Sequence, residues 1–160
     1  MKSVAILIAA LMMATGLATA QDTPVTATDV TSTIELLRSD LKTGRKALLT
    51  EAMQFTEKEA NAFWPIYNEY ELERSKMGDR YLESLKEYAA NYDTMTNEMA
   101  EKLMKKVFVW QKDNVSLVEK YYKKVAKAIT AKRAARFVQM ENRINQLVLL
   151  QLASEIPLAK

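Results

Sequence analysis

The sequence predicts an all-α fold: four helices with a long central antiparallel hairpin, kinked near Pro65. Three observations predict it. Gly and Pro number three each in 160 residues, too few to punctuate a series of short strands. Ala, Leu, Glu and Lys, all good helix formers, are abundant. Apolar residues also recur at three- and four-residue spacing over two long stretches. The length suits one domain with no room for a second full-size core. With 49% apolar and 27% charged residues, the composition is neither that of a disordered chain nor that of a membrane-embedded one.

Residues 1–20 read as a cleaved secretory signal. Lys2 supplies the positive start, Val4 to Ala14 the apolar stretch, and Ala18-Thr19-Ala20 the small residues of a processing site. The competing reading, a membrane anchor, needs roughly 20 apolar residues, and Thr15 and Gly16 interrupt the run at about half that. No Cys follows the cut, so a lipid-bearing N-terminal Cys is excluded. The expected first mature residue is Gln21 and the expected location is periplasmic. Residues 21–31 are small, polar and unpatterned, which suits a flexible N-terminus, and a single helical domain is expected over 32–156.

Helix starts follow in order. Ser32-Thr33-Ile34-Glu35 and Thr56-Glu57-Lys58-Glu59 fit a capping box, in which a hydroxyl and a carboxylate satisfy two orphan backbone N–H groups reciprocally. Thr96 and Thr130 are candidate N-caps without the reciprocal acid. These signals give helices near 32–52, 57–90, 97–128 and 131–153. The second carries the stripe Phe63, Tyr67, Tyr70, Arg74, Met77, Tyr81, Leu85, Tyr88. The third carries Met99, Leu103, Val107, Trp110, Asn114, Leu117, Tyr121, Val125. The short link from Asn91 to Met95 forces an antiparallel hairpin. Counting outward from its midpoint sets Leu85 opposite Leu103, Tyr81 opposite Val107, Met77 opposite Trp110 and Phe63 opposite Val125. Arg74 then meets Asn114 and Asp113 in a polar layer that would fix register. Pro65, which lacks an N–H and crowds the carbonyl of Asn61, predicts a kink; the alternative is a helix that begins at Pro65. Ile34, Leu37, Leu41 and Leu48 of the first helix, with Phe137, Met140, Ile144, Leu147 and Val148 of the fourth, are expected to cover the hairpin. Both are shorter than the hairpin, so a helix face left open for a homodimer or a partner is expected.

The chain has no Cys and no His. This removes disulfides, thiolate chemistry, Cys/His zinc sites and the commonest general base. Paired carboxylates such as Glu69 with Glu73 and Glu83 with Glu87 could bind a hard cation, but they sit among surface charges. Met77, Met99 and Met140 lie on core stripes, which favours packing over Cu(I) binding. No nucleophile motif or phosphate loop is present, and neither a cofactor nor a metal is expected. Charge is segregated: Phe55–Glu101 holds eleven acids against five bases, and Lys102–Arg143 twelve bases against three acids. Either the two halves attract and the excess is solvated, or Lys120, Lys123, Lys124, Lys127, Lys132, Arg133 and Arg136 form a surface for an acidic partner. An unfolded client, anionic lipid headgroups or a membrane sensor domain would qualify; nucleic acid is not expected for an exported protein. Trp64 and Tyr122 lie beside the stripes and are candidate partner-binding aromatics.

Phe55-Thr56-Glu57-Lys58-Glu59 and Ile129-Thr130-Ala131-Lys132-Arg133 resemble the two Leu-Thr-x-x-Gln motifs of the Spy/CpxP-like periplasmic stress proteins. Phe63-Trp64-Pro65-Ile66-Tyr67 and Arg136-Phe137-Val138-Gln139-Met140-Glu141-Asn142 look like segments of exported members of that broad group. The Gln positions are here Glu59 and Arg133, and the His-rich character of some relatives is missing. The resemblance implies a signal, four helices with a long central hairpin, dimers and no enzymatic activity. It implies an ATP-independent, chaperone-like binder of unfolded or acidic proteins, or an envelope-stress regulator docking on a membrane sensor kinase. A small-molecule or ion carrier is a third reading, from another class.

Overall fold

The computed structural model describes residues 44–156 and Leu158. The signal over 1–20, the stretch 21–31, and residues 32–43 with the Ser32–Glu35 capping box lie outside the described residues. Four α-helices make up the described fold: α1 over 44–53, α2 (Glu57–Ala90), α3 (Asn97–Ala128) and α4 (Ala131–Glu155), with a 3-10 turn (Tyr92–Thr94) between α2 and α3.

Local chemistry sets the boundaries. Gln54 ends α1 at φ 46°, a left-handed position that glycine usually fills. The Thr56 hydroxyl accepts from the Glu59 N–H at 3.3 Å, and the Glu59 carboxylate accepts from the Thr56 N–H at 2.9 Å. This closed box starts α2 upstream of Pro65, so Pro65 lies inside the helix and is not its first residue. The Thr96 and Thr130 hydroxyls each accept, at 3.2 Å, the N–H three residues on.

Helices α2 and α3 run antiparallel, and α4 returns alongside them, parallel to α2. Phe137 of α4 meets Phe63 and Tyr70 of α2, and Leu152 further along packs with Leu82 and Leu85. α1 lies antiparallel to α4, since Arg45 reaches Glu141 while the Met53 carbonyl, at the other end of α1, accepts from Arg133 at 2.7 Å. The main core joins Leu49 and Met53 of α1, Phe63, Tyr67, Tyr70 and Met77 of α2, Leu117, Tyr121 and Val125 of α3, and Phe137 of α4.

The count from the loop does not give the ring contact of Trp110: it stacks on Tyr81 at 4.4 Å, one turn from the counted Met77, and also packs against the cluster that contains Met77. Helical side chains lean toward their own N-terminus. In an antiparallel pair the leans oppose, so touching tips belong to an α2 residue nearer the loop, and an α3 residue further from it, than backbone levels suggest. The polar layer does not form either. Arg74 pairs with Glu71 on its own helix at 2.7 Å, and Asp113 accepts from Arg80 at 3.0 Å. Finally, Leu48, Met99 and Leu147 are exposed, while Leu49, Met53, Ala134 and Leu152 are buried. The buried face of α1 is therefore rotated from the expected one, whereas α4 buries Phe137 and Ile144 and half-buries Met140 and Val148 as expected, with Leu147 turned outward.

Candidate binding surface

The seven cations singled out in the sequence run along the end of α3 and the start of α4, and most are already engaged. Lys120 holds Glu73 at 2.7 Å and Lys124 holds Glu69 at 2.6 Å, both across the hairpin. Lys123 pairs with Glu119 on its own helix at 2.6 Å. The Tyr121 hydroxyl also donates to Glu73; burial, with the nearby Glu73 and Glu69 carboxylates, pushes that phenol up to about 12. The lysine bonds are the main cause that holds Glu73 below the usual carboxylate range. A matching pair of bonds, from Lys106 and Lys102 to Glu87, does the same nearer the loop. The acidic α2 and the basic α3 thus neutralise one another along the seam.

Arg133 is tied more firmly. Its Nε and Nη2 donate to the two oxygens of Glu59 at 2.8 and 3.1 Å, and its Nη1 donates to the Met53 carbonyl. One guanidinium therefore joins α1, α2 and α4, and lies 6.0 Å from the Phe55 ring. Glu59 and Arg133 hold the same place, third in the first turn, of their two capped helices. The two departures from Gln in the motif segments are a complementary bidentate ion pair. Arg136 donates from Nε to the Ala52 carbonyl at 2.8 Å. Lys127 and Lys132 are exposed and have no carboxylate partner among the described residues.

Trp64 and Tyr122 are half-buried and packed against the core. Trp64 sits edge-on to Phe63 and Tyr67, at 5.2 and 5.6 Å, with the Lys46 ammonium 5.0 Å from its ring centroid. Most of its face is spent on the α1–α2 junction.

A second polar group lies in the core and escaped the sequence reading. Arg45 and Glu141, with side chains 1% and 0% exposed, form an ion pair at 2.6 Å. The Tyr70 hydroxyl donates to the same Glu141 oxygen at 2.9 Å, and Arg45 also donates to Asn145 at 3.2 Å. The other Glu141 oxygen and the Arg45 Nε have no partner among the described residues. Burial pushes the Glu141 carboxyl above its ordinary value, against the pull of Arg45, Tyr70 and Arg74. Next to Tyr70 on α2, Glu71 accepts from Arg74 and from Tyr67. Burial opposes its ionisation, and Arg74 more than offsets this, leaving the carboxyl low. Glu141 of α4, held by Arg45 of α1 and Tyr70 of α2, fastens three helices, whereas Glu71 is held within α2. The available signal was a charge on each apolar stripe: Arg45 four residues before Leu49, and Glu141 four after Phe137. Among the described residues no group of three or more acidic side chains is placed to hold a metal ion.

The outward face of α4 carries a continuous row at three- and four-residue spacing: Lys132, Arg136, Gln139, Arg143, Leu147, Leu150. All six are exposed, with Leu147 at 65% and Leu150 at 70%. Three cations and no acid occupy the first part, and two leucines the last. From Lys132 to Leu150 the row spans about 27 Å at 1.5 Å per residue, the reach of roughly eight residues of extended chain. Of the sequence candidates, Lys132 and Arg136 belong to this row, whereas Lys120, Lys124 and Arg133 are engaged in the packing of the helices. No family model, curated protein or solved structure matches the chain.

Proposed function

We propose that this is an exported, non-enzymatic, ATP-independent binding protein, chaperone-like in action, for unfolded or acidic polypeptides. The α4 row carries the reading. Single exposed apolar side chains are ordinary, but a contiguous exposed apolar surface beside charge is a common mark of a partner site. Here Leu147 and Leu150 follow directly on Lys132, Arg136 and Arg143. An extended segment with acidic and apolar side chains would meet cations along one half of its length and leucines along the other. Unfolded chains offer such segments without needing a fixed shape. The resemblance to the Spy/CpxP-like proteins supports the same class of function, and with it a periplasmic site of action and a homodimer.

The test is aggregation of a chemically denatured acidic protein diluted into buffer without nucleotide, followed by light scattering. The mature chain from Gln21 should suppress scattering near equimolar ratio. Unchanged scattering at several-fold excess would refute the reading.

A further inference from the structure

A separate face of α3 points to an anionic lipid surface. Met104, Phe108 and Val115 recur at four- and seven-residue steps on the outward side, and Val109 flanks them. All are exposed, Phe108 at 55% and Val115 at 67%. Lys105 and Lys112, seven residues apart and also exposed, run between the two apolar edges. Lys102, Lys106, Lys120, Lys123 and Lys124 on this helix each hold a carboxylate. Lys105 and Lys112 have none among the described residues. Between Met104 and Val115 the arc contains no acid, since Asp113 turns toward Arg80 of α2; exposed Glu101 and Glu119 flank it one turn beyond each end, and Glu119 is held by Lys123.

We propose that this arc docks the protein peripherally on an anionic bilayer surface. The lysines would sit at the headgroups, and Phe108, Met104, Val109 and Val115 would enter the headgroup–acyl boundary, as on interfacial amphipathic helices. Charge and size select this occupant. Six side chains on one convex helix fall far short of the roughly 20–30 residues a side of a stable protein interface, whereas lipid adsorption adds up side chain by side chain and needs no matching shape. A second copy laid antiparallel on the arc would bring the lysine rows together. None of the described helices is long and apolar enough to cross a membrane, so the contact is superficial. The proposal does not rest on polypeptide binding by α4.

The mature chain is floated with vesicles of phosphatidylglycerol and phosphatidylethanolamine, and in parallel with phosphatidylcholine vesicles. Recovery with the anionic vesicles alone is expected. The Lys105→Glu/Lys112→Glu variant should lose it, and Phe108→Ser/Val115→Ser should weaken it at least tenfold. Circular dichroism should show both variants folded, because the changed side chains are exposed, and both should still suppress aggregation. Equal recovery with phosphatidylcholine would overturn the proposal, as would anionic recovery that survives the lysine reversal. So would a dimer in sedimentation that the Phe108→Ser/Val115→Ser change dissociates, which would assign the arc to a second copy. Vesicle binding without suppression of aggregation would leave this proposal standing and refute the other.

Discussion

Replacing Arg45 by Ala should cost far more than its two hydrogen bonds suggest. The side chain is buried, 2.6 Å from a buried carboxylate, and its loss strands Glu141 with only the Tyr70 hydroxyl. Removing one partner of a buried pair typically costs about 3–5 kcal/mol, because the surviving charge stays desolvated. Glu141 and Arg45 each already leave one polar atom unsatisfied among the described residues, so the pair is itself a weak bargain against apolar packing. The double change Arg45→Met/Glu141→Leu should therefore be neutral, or more stable by about 1–4 kcal/mol. Acidity supplies an internal control. Burial raises the Glu141 carboxyl in the folded protein. A raised carboxyl binds its proton more tightly folded than unfolded, so its contribution to stability grows as pH falls through the folded value and levels off below the unfolded one, about 4.3. Without Arg45 the rise begins at higher pH, so the deficit of Arg45→Ala should shrink on acidification. Urea unfolding followed by circular dichroism at pH 8 and pH 5 measures all of this. A deficit under about 1 kcal/mol for Arg45→Ala, or one that grows toward pH 5, would refute the reasoning.

Two further stability effects should follow. Gln54→Gly should raise stability by about 1 kcal/mol in the same urea assay, since a non-glycine residue at φ 46° carries roughly 1–2 kcal/mol of left-handed strain, partly offset by glycine's greater freedom when unfolded; an unchanged midpoint would argue against strain there. Arg133→Ala should destabilise by about 2–3 kcal/mol, as loss of charged hydrogen bonds to Glu59 and the Met53 carbonyl implies, while Lys132→Ala next to it should stay within about 0.5 kcal/mol. Equal effects in melting experiments would show that Arg133 does not fasten the three helices.

What the sequence made legible was local. Thr56, Thr96 and Thr130 announced three helix starts because a cap is decided within one turn, and the apolar stripes placed Phe63, Tyr67, Tyr70, Leu117, Tyr121 and Val125 in the core. Contacts between helices were less legible. The pairing of Tyr81 with Trp110 depends on the lean of side chains, which a count of residues does not carry. Arg74 found Glu71 three residues away on its own helix, a nearer partner than any across the hairpin. Arg45 and Glu141 sit 96 residues apart, and nothing within a helical turn of either announces the other. The charge segregation was visible, but not that Glu69, Glu73 and Glu59 consume Lys124, Lys120 and Arg133, which leaves Lys132, Arg136 and Arg143 in line with two exposed leucines.

Binding to that α4 row is tested most directly by fluorescence anisotropy of a labelled, permanently unfolded acidic polypeptide titrated with the mature chain. Saturable binding is expected. It should weaken at least tenfold in Leu147→Ser/Leu150→Ser, a variant whose folding should change by no more than about 0.5 kcal/mol because both leucines are exposed. It should also weaken on raising salt from 0.1 M to 1 M, as the screening length falls from about 10 Å to about 3 Å. No binding by the parent chain, or equal binding by parent and variant in both salts, would contradict the assignment of this surface.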